Sequence, residues 1–252
     1  MAAECRSRVP QPDPRPFLKP ICSHGPVRFL MAALAFALPV AAVAQLQSVN
    51  PGINRYYENP SLEQSLRMFE GEGREVFDRR NEIVAAVGLK PGMAVADIGA
   101  GTGLFTRLFA TAVGGSGRVY AVDISPAFVR NIARIAQAEN LRQVEAILGG
   151  DRDSRLPPAA VDVAFVCDTY HHFEYPQSML ASIHRSLRSG GMLVVIDYQR
   201  IPGVSSSWTL GHVRAGKETV IGEIEAAGFK LIEERRGLLK DNYFLLFRRL
   251  DG

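Results

Sequence analysis

Residues 95–103, with the sequence Val-Ala-Asp-Ile-Gly-Ala-Gly-Thr-Gly, constrain the fold of this chain more than any other stretch. The apolar run 93–98 predicts a buried strand that stops in a glycine-rich turn, and a helical pattern begins behind the turn at Leu104. Glycines leave no Cβ to hold a ligand away from the backbone, and the amides at the start of the helix point at whatever binds there. This order of elements predicts a ligand-binding loop, and Asp97 adds a carboxylate to its rim.

Apolar runs alternate with helical patterns through most of the chain. The predicted strands are residues 93–98, 118–124, 144–148, 161–167, 192–197, 229–234 and 243–248. Strands that are apolar throughout and separated by helices predict a parallel sheet covered on both faces. The last two strands are joined by a short connection and must be antiparallel. We therefore expect an α/β, doubly wound, Rossmann-like, seven-stranded and mostly parallel sheet with an antiparallel C-terminal hairpin strand.

The first 44 residues have the pattern of an export leader. Arg28 precedes a short apolar stretch that ends in Ala42-Val43-Ala44, which is typical of a secretory signal peptide, whereas a membrane-spanning helix needs roughly 20 apolar residues. We expect cleavage after Ala44, which would give a periplasmic or secreted protein without a stable membrane span. If the leader is not functional, we expect a cytoplasmic protein. The proline- and arginine-rich residues 1–26 favour a translation start near Val27, and the alternative is a disordered N-terminal tail.

The charge balance argues against a nucleic-acid partner. The chain has 29 Lys and Arg against 26 Asp and Glu, but residues 1–44 hold five of the former and two of the latter, so the remainder has equal numbers of each sign. Binding a phosphate backbone requires a clustered positive surface, and no such cluster is visible after residue 44. Only Cys167 lies beyond the leader, so no internal disulfide is expected.

Three carboxylates end successive predicted strands. Asp97, Asp123 and Asp151 follow the first, second and third strands, and in a doubly wound sheet the ligand lies outside the carboxyl ends of the strands. A carboxylate after the second strand is suited to the two hydroxyls of a ribose. A dinucleotide fingerprint would need a third glycine where Leu104 stands, and Asp97 favours a cationic ligand over phosphate.

Four successive motifs carry a family resemblance: residues 95–103, the acidic end of 119–123, the segment 150–157 and the strand 161–165. Together they resemble the motifs of class I S-adenosylmethionine-dependent methyltransferases, over about residues 74–249. Residues 170–173 and 213–229 resemble small-molecule methyltransferases of the quinone-biosynthesis type. With the leader at 1–44 and a polar N-terminal arm at 45–73 set apart, the resemblance implies a methyltransferase domain at 74–252.

The resemblance also implies a cofactor site for S-adenosylmethionine. The glycines would let its methionine part lie against the backbone, Asp97 would hold its amino group through water, and Asp123 would bind the ribose. Ile124 would pack on the adenine. Asp151 would accept from the adenine amino group, or Asp153 would, since the segment before Leu-Pro is longer than the family spacing. The implied residues are Asp97, Gly99, Ala100, Gly101, Gly103, Asp123, Ile124, Asp151, Asp153, Asp168 and Thr169, the last two bordering the sulfonium.

The catalytic residues are less constrained by the sequence. Tyr170, His171 and His172 fall where a general base could remove a proton from a phenol or an acid. The alternative is that the histidines only orient their loop. Likewise, Tyr57 either packs the arm onto the domain or closes over a ligand, and His212, beside the polar loop 204–211, either shapes an acceptor pocket or is a surface residue. No metal ligands are expected.

These observations predict a methyltransferase that uses S-adenosylmethionine and acts on a small-molecule methyl acceptor. Two alternatives stay open: a non-catalytic protein that binds an adenosine-like ligand on the same fold, and a nucleotide-dependent oxidoreductase, which the missing third glycine disfavours. The sequence identifies neither the acceptor nor the oligomeric state.

Overall fold

Residues 47–251 are described by a computed structural model, and their strands form one seven-stranded sheet. The strands are β1 Ala94–Ile98, β2 Arg118–Asp123, β3 Val144–Leu148, β4 Val161–Cys167, β5 Leu187–Tyr198, β6 Phe229–Glu234 and β7 Asn242–Arg249. The α-helices are α1 Arg55–Glu58, α2 Leu62–Phe69, α3 Glu75–Asp78, α4 Arg80–Val87, α5 Leu104–Val113, α6 Pro126–Ala138, α7 Pro176–Ser186, α8 Ser207–His212 and α9 Lys217–Ala226.

The strand order is β3-β2-β1-β4-β5-β7-β6. The five strands β1 to β5 pair in parallel, and β7 lies between β5 and β6, antiparallel to both. The predicted fold class, including the reversed C-terminal strand, is confirmed. The order changes direction at β1, so the carboxyl ends of β1, β2 and β4 meet at one crevice.

Each face of the sheet has its own apolar layer. Alternate residues of β1 point to opposite faces: Ala96 packs in the layer that includes α7 and α9, and Val95 in the layer that includes α4 and α5. This alternation is the two-residue period of a strand, and burial on both sides explains why β1 is apolar throughout. Packing on both faces holds β1 in place, and it therefore also positions the turn that follows Ile98.

Loops and element ends differ from the sequence-based expectation. The helical pattern at 74–87 is divided into α3 and α4 at Arg79. The predicted polar loop 204–211 is largely helical, because α8 begins at Ser207 and Ser206 caps its first turn. β5 begins at Leu187 instead of residue 192, because Leu187 pairs with Val161 before an irregularity in the β4–β5 register. The element order of the sheet is unaffected.

The predicted leader, its cleavage after Ala44 and the export that depends on it fall in residues 1–46, outside the described residues, and stay predictions. Between residues 47 and 251, no helix is both long enough and apolar enough to cross a bilayer.

Candidate active site

A cavity of about 390 Å³ opens at the carboxyl ends of β1, β2 and β4. Its walls include Asp97 and Ile98 from β1, Asp123 from β2 and Cys167 from β4. The turn after β1 forms its floor, and the N-terminal segment with α1 and α2 contributes Tyr57 and Phe69 from the other side. Of the eleven predicted cofactor residues, nine line this cavity: Asp97, Gly99, Ala100, Gly101, Asp123, Ile124, Asp151, Asp168 and Thr169.

The glycine-rich turn is tied to the neighbouring strand. The amides of Gly99 and Ala100 both donate to the Val122 carbonyl oxygen, at 2.8 and 3.0 Å. Gly99 has φ +75°, and a Cβ at this position would lie 2.3 Å from the Thr169 side chain. Only glycine fits here without displacing Thr169, so the turn can approach a ligand closely.

Gly99→Ala should therefore disrupt the cavity. The added methyl group overlaps Thr169 in a backbone conformation that L-residues rarely adopt, at an expected cost of about 1–3 kcal/mol in the free energy of unfolding. Gly222→Ala is the matched control, because a Cβ on Gly222 meets nothing within 4 Å inside α9. Chemical unfolding of both variants measures the difference, and equal stability of the two would contradict this account of the turn.

Two buried carboxylates flank the turn. Asp97 is 3% exposed and accepts a 2.6 Å hydrogen bond from the Thr106 hydroxyl, and burial raises its pKa to about 7. Asp123 is 7% exposed, and its two oxygens accept from the amides of Gly101 and Ser125, both at 2.8 Å. Burial outweighs these donors and raises the pKa of Asp123 to about 6. Both groups are costly to ionise until a ligand supplies a cation or hydrogen-bond donors.

The structure places Asp151, and not Asp153, at the cavity wall. Asp153 faces α7, where it accepts from Ser182 at 3.0 Å and pairs with Arg185 at 3.0 Å. Its backbone carbonyl also accepts from the Gly150 amide, so it shapes the loop that presents Asp151. Gly103 likewise does not line the cavity: it is the residue directly before α5, with φ +85°.

Asp168 and Thr169 directly follow β4 and line the cavity. The Asp168 carboxylate is buried and forms an ion pair with Arg74. Its Oδ2 contacts the Arg74 guanidinium at 2.6 Å, and its Oδ1 accepts from the Asn242 amide at 2.6 Å. Arg74 also donates to the Phe69 carbonyl oxygen at 2.7 Å, which ties α2 to the end of β4. The sequence analysis did not identify Arg74, since nothing local to it signals a partner 94 residues away.

The three predicted catalytic residues diverge. Tyr170 is 1% exposed, lies outside the cavity wall and donates from its hydroxyl to Glu223 at 2.8 Å. Burial and the Glu223 carboxylate raise its pKa far above the usual range. The 3₁₀ turn Tyr170–His172 directs adjacent side chains in different directions, so Tyr170 packs into the core while His171 and His172 line the cavity.

The two histidines also differ from each other. His171 Nδ1 lies 2.7 Å from Asp197 Oδ1 at the end of β5, and although burial disfavours the imidazolium, this carboxylate raises the His171 pKa overall. Burial, together with His171 and His212, lowers the pKa of His172 to about 2. His171 is thus the better proton acceptor, and His172 is neutral at physiological pH.

An aromatic rim closes the far end of the cavity. Tyr57 meets the His172 ring edge-on at 5.1 Å, and Trp208 stacks on His212 at 4.6 Å between ring centroids. Tyr198 completes this rim. For Tyr57 and His212, the structure therefore favours a place at the ligand cavity over packing or surface exposure alone. Sequence reasoning had only weak signals for these residues, because they come from the arm and from a loop without periodicity.

Comparisons with known proteins show which domain and fold this chain resembles. Residues 96–195 match the family described as a methyltransferase domain. A ubiquinone/menaquinone biosynthesis C-methyltransferase of Burkholderia vietnamiensis is 28% identical over 118 residues, which are 47% of this chain and 48% of that protein. An uncharacterized transposon-encoded protein of Streptomyces fradiae is 34% identical over 116 residues, 46% of this chain and 33% of that protein. The chain thus spans about half the length, or less, of these curated relatives.

The structural comparison extends over more of the chain. A SAM-dependent methyltransferase from Aquifex aeolicus superposes with a TM-score of 0.64 and 23% identity, covering 75% of this chain and 99% of that one. Likeness at this level of identity bears on the fold, and the matched residues 96–195 run from β1 into β5. The chain thus carries a segment that matches a methyltransferase domain, on a sheet with the fold of a SAM-dependent methyltransferase.

Proposed function

We propose that this protein binds S-adenosylmethionine in the cavity and transfers its methyl group to a small-molecule acceptor. The observation that carries the proposal is the placement of two buried carboxylates, Asp97 and Asp123, on either side of a glycine turn at one cavity. Asp97 suits a cationic amino group, and Asp123, at the end of the second strand, suits ribose hydroxyls.

The cavity residues fit this cofactor chemically. Asp123 already accepts one backbone hydrogen bond on each oxygen, and each carboxylate oxygen has capacity for a second, so a pair of hydroxyls can be added without breaking the turn. Ile124, 36% exposed at the cavity, offers an apolar surface for a purine, with Asp151 in the same wall. A volume of about 390 Å³ is within the range of cofactor pockets.

The acceptor would occupy the aromatic rim, beside His171 and His172. When bound, the cofactor supplies an electrophilic methyl group, and the protein's task is to hold a nucleophile in line with it. Tyr57, Tyr198 and Trp208 would hold an apolar or aromatic acceptor. His171, fixed through Nδ1 by Asp197, retains Nε2 to take a proton from the acceptor.

Isothermal titration of the protein with S-adenosylmethionine and with NADH tests this proposal. We expect binding of the former only, and loss of binding in Asp123→Ala. Glu233→Ala, which removes a half-exposed carboxylate of β6 outside the cavity, is the control and should leave binding unchanged. Absence of S-adenosylmethionine binding would reject the proposal. Binding without release of S-adenosylhomocysteine across a panel of quinols, phenols and thiols would favour the non-catalytic alternative.

A further inference from the structure

Three histidines meet at the acceptor end of the cavity. His171, His172 and His212 each offer a ring nitrogen, and these nitrogens all lie within 4.8 Å of one another. The ring centroids are 4.3 to 5.2 Å apart. Two of these residues are adjacent in sequence, but His212 comes from α8, about 40 positions later, so the cluster is assembled by the fold.

We propose that His171, His172 and His212 form a binding site for a divalent transition-metal ion, with Zn²⁺ as the first candidate. Three imidazoles with an open position are the ligand set of catalytic zinc sites, and imidazole nitrogen also binds Cu²⁺ and Ni²⁺. Tetrahedral ligation at about 2.0–2.1 Å separates the nitrogens by about 3.3 Å. Closing the cluster from 4.8 Å thus needs movements of about 1–1.5 Å, within reach of side-chain rotation.

The surroundings of His171 are those of a metal ligand. Asp197 is 1% exposed and accepts from both the His171 backbone amide, at 2.9 Å, and the ring, at 2.7 Å. A metal-bound histidine typically donates its other ring N–H to such a carboxylate, which fixes the tautomer and the ring orientation. With Nδ1 committed to Asp197, Nε2 is the nitrogen left to bind an ion.

The other two histidines are positioned through backbone contacts, which leave their ring nitrogens available to bind an ion. His172 Nδ1 is buried and has no hydrogen-bond partner among the described residues, which is costly unless a ligand occupies it. The His172 backbone is fixed by its carbonyl, which accepts from Asn54 at 3.0 Å. His212 ends α8, and Arg200 holds this segment by donating to the carbonyls of Val213 and Leu210.

The site would define the acceptor class, a point that rests on the proposed methyl transfer. An ion held by three histidines keeps a coordination position for an acceptor oxygen or sulfur, and as a Lewis acid it lowers the pKa of that group. The acceptor O–H or S–H bond would break and its proton would pass to water. The electron pair left on the acceptor would form the new bond to the methyl group as the sulfonium S–CH3 bond breaks and S-adenosylhomocysteine leaves with that bond's electrons. His171, as a ligand, would then give up its role as proton acceptor.

Co²⁺ titration of the chelator-treated full chain tests ion binding independently of methyl transfer. We expect one equivalent, with the intense visible bands of low-coordinate Co²⁺, displaced by Zn²⁺. Affinity should fall about tenfold or more in His172→Ala and in His212→Ala, and should be unchanged in His184→Gln. His184 is the matched control because it lies apart from the cluster, against Phe229 and the Leu250 carbonyl.

Two results would overturn the metal site: no Co²⁺ binding by the wild-type chain, or a spectrum that persists in both variants. Persistence would assign the ion to other residues, such as Cys5, Cys22 and His24 of the N-terminal segment. If circular dichroism shows that the variants do not fold, X-ray absorption of the zinc-loaded wild type decides. Three imidazole nitrogens at about 2.0 Å support the site, and sulfur ligation refutes it. These readouts stand even if S-adenosylmethionine does not bind.

Discussion

Replacing Arg74 with alanine is expected to lower the free energy of unfolding by about 3–5 kcal/mol, because it leaves the Asp168 carboxylate buried without its cation. The Asp168 side chain is only 7% exposed, and its 2.6 Å contact with Arg74 is its ion pair among the described residues. Asn242 remains as a hydrogen-bond donor but carries no charge. Arg74 also holds the Phe69 carbonyl, so the same change should weaken cofactor binding by loosening the wall that α2 contributes.

Two further variants separate the charge effect from the loss of a side chain. Arg67→Ala removes an arginine whose ion pair with Glu63 is 65% and 81% exposed, and it should cost less than about 1 kcal/mol. Arg74→Ala combined with Asp168→Asn removes the stranded charge and should recover part of the loss. Equal effects of Arg67→Ala and Arg74→Ala in urea unfolding, or no recovery in the double variant, would contradict the buried-pair explanation.

The sheet could be predicted from the sequence because its strands leave a strong local signal. Strands buried on both faces are continuous apolar runs, and parallel pairing then requires their carboxyl ends to meet. This is why Asp97, Asp123 and Asp151, which are far apart in sequence, were correctly expected at one crevice. The reversed β7 followed from the short connection to β6.

The remainder of the site depends on long-range contacts, which leave no local pattern. Asp151 and Asp153 are two residues apart, and only Ser182 and Arg185 on α7 decide that Asp153 turns away from the cavity. Tyr170 points away from the two histidines because its hydroxyl donates to Glu223 on α9. α8 places His212 at the cavity, and this helix could not be predicted because its sequence lacks helical periodicity. The expectation of no metal ligands rests on a sequence in which only His171 and His172 are adjacent, and the Co²⁺ titration tests it.

A second large effect is expected from Asp97, because its folded-state pKa of about 7 lies well above the ordinary value of 3.8. Between these two values the folded protein holds a proton that the unfolded chain releases, so its stability falls as the pH rises. Over pH 5 to 7 this amounts to about 3 kcal/mol from Asp97 alone. Asp97→Asn keeps an acceptor for the Thr106 hydroxyl but cannot ionise. The variant should be the more stable protein at pH 8, with a shallower pH dependence in urea unfolding.

Asp97→Asn, which should raise stability at pH 8, should weaken cofactor binding. A cationic amino group favours the ionised carboxylate, so wild-type affinity for S-adenosylmethionine should fall roughly tenfold as the pH drops from 7.5 to 6. Asp97→Asn should bind about 10–100-fold more weakly at pH 7.5, since a charge-assisted hydrogen bond is lost, and its affinity should vary less with pH. Calorimetry at both pH values measures this. If Asp97→Asn is more stable at pH 8 but binds S-adenosylmethionine as tightly as the wild type, Asp97 does not hold the cofactor. The buried carboxylate would then lower stability without contributing a charge that the ligand needs.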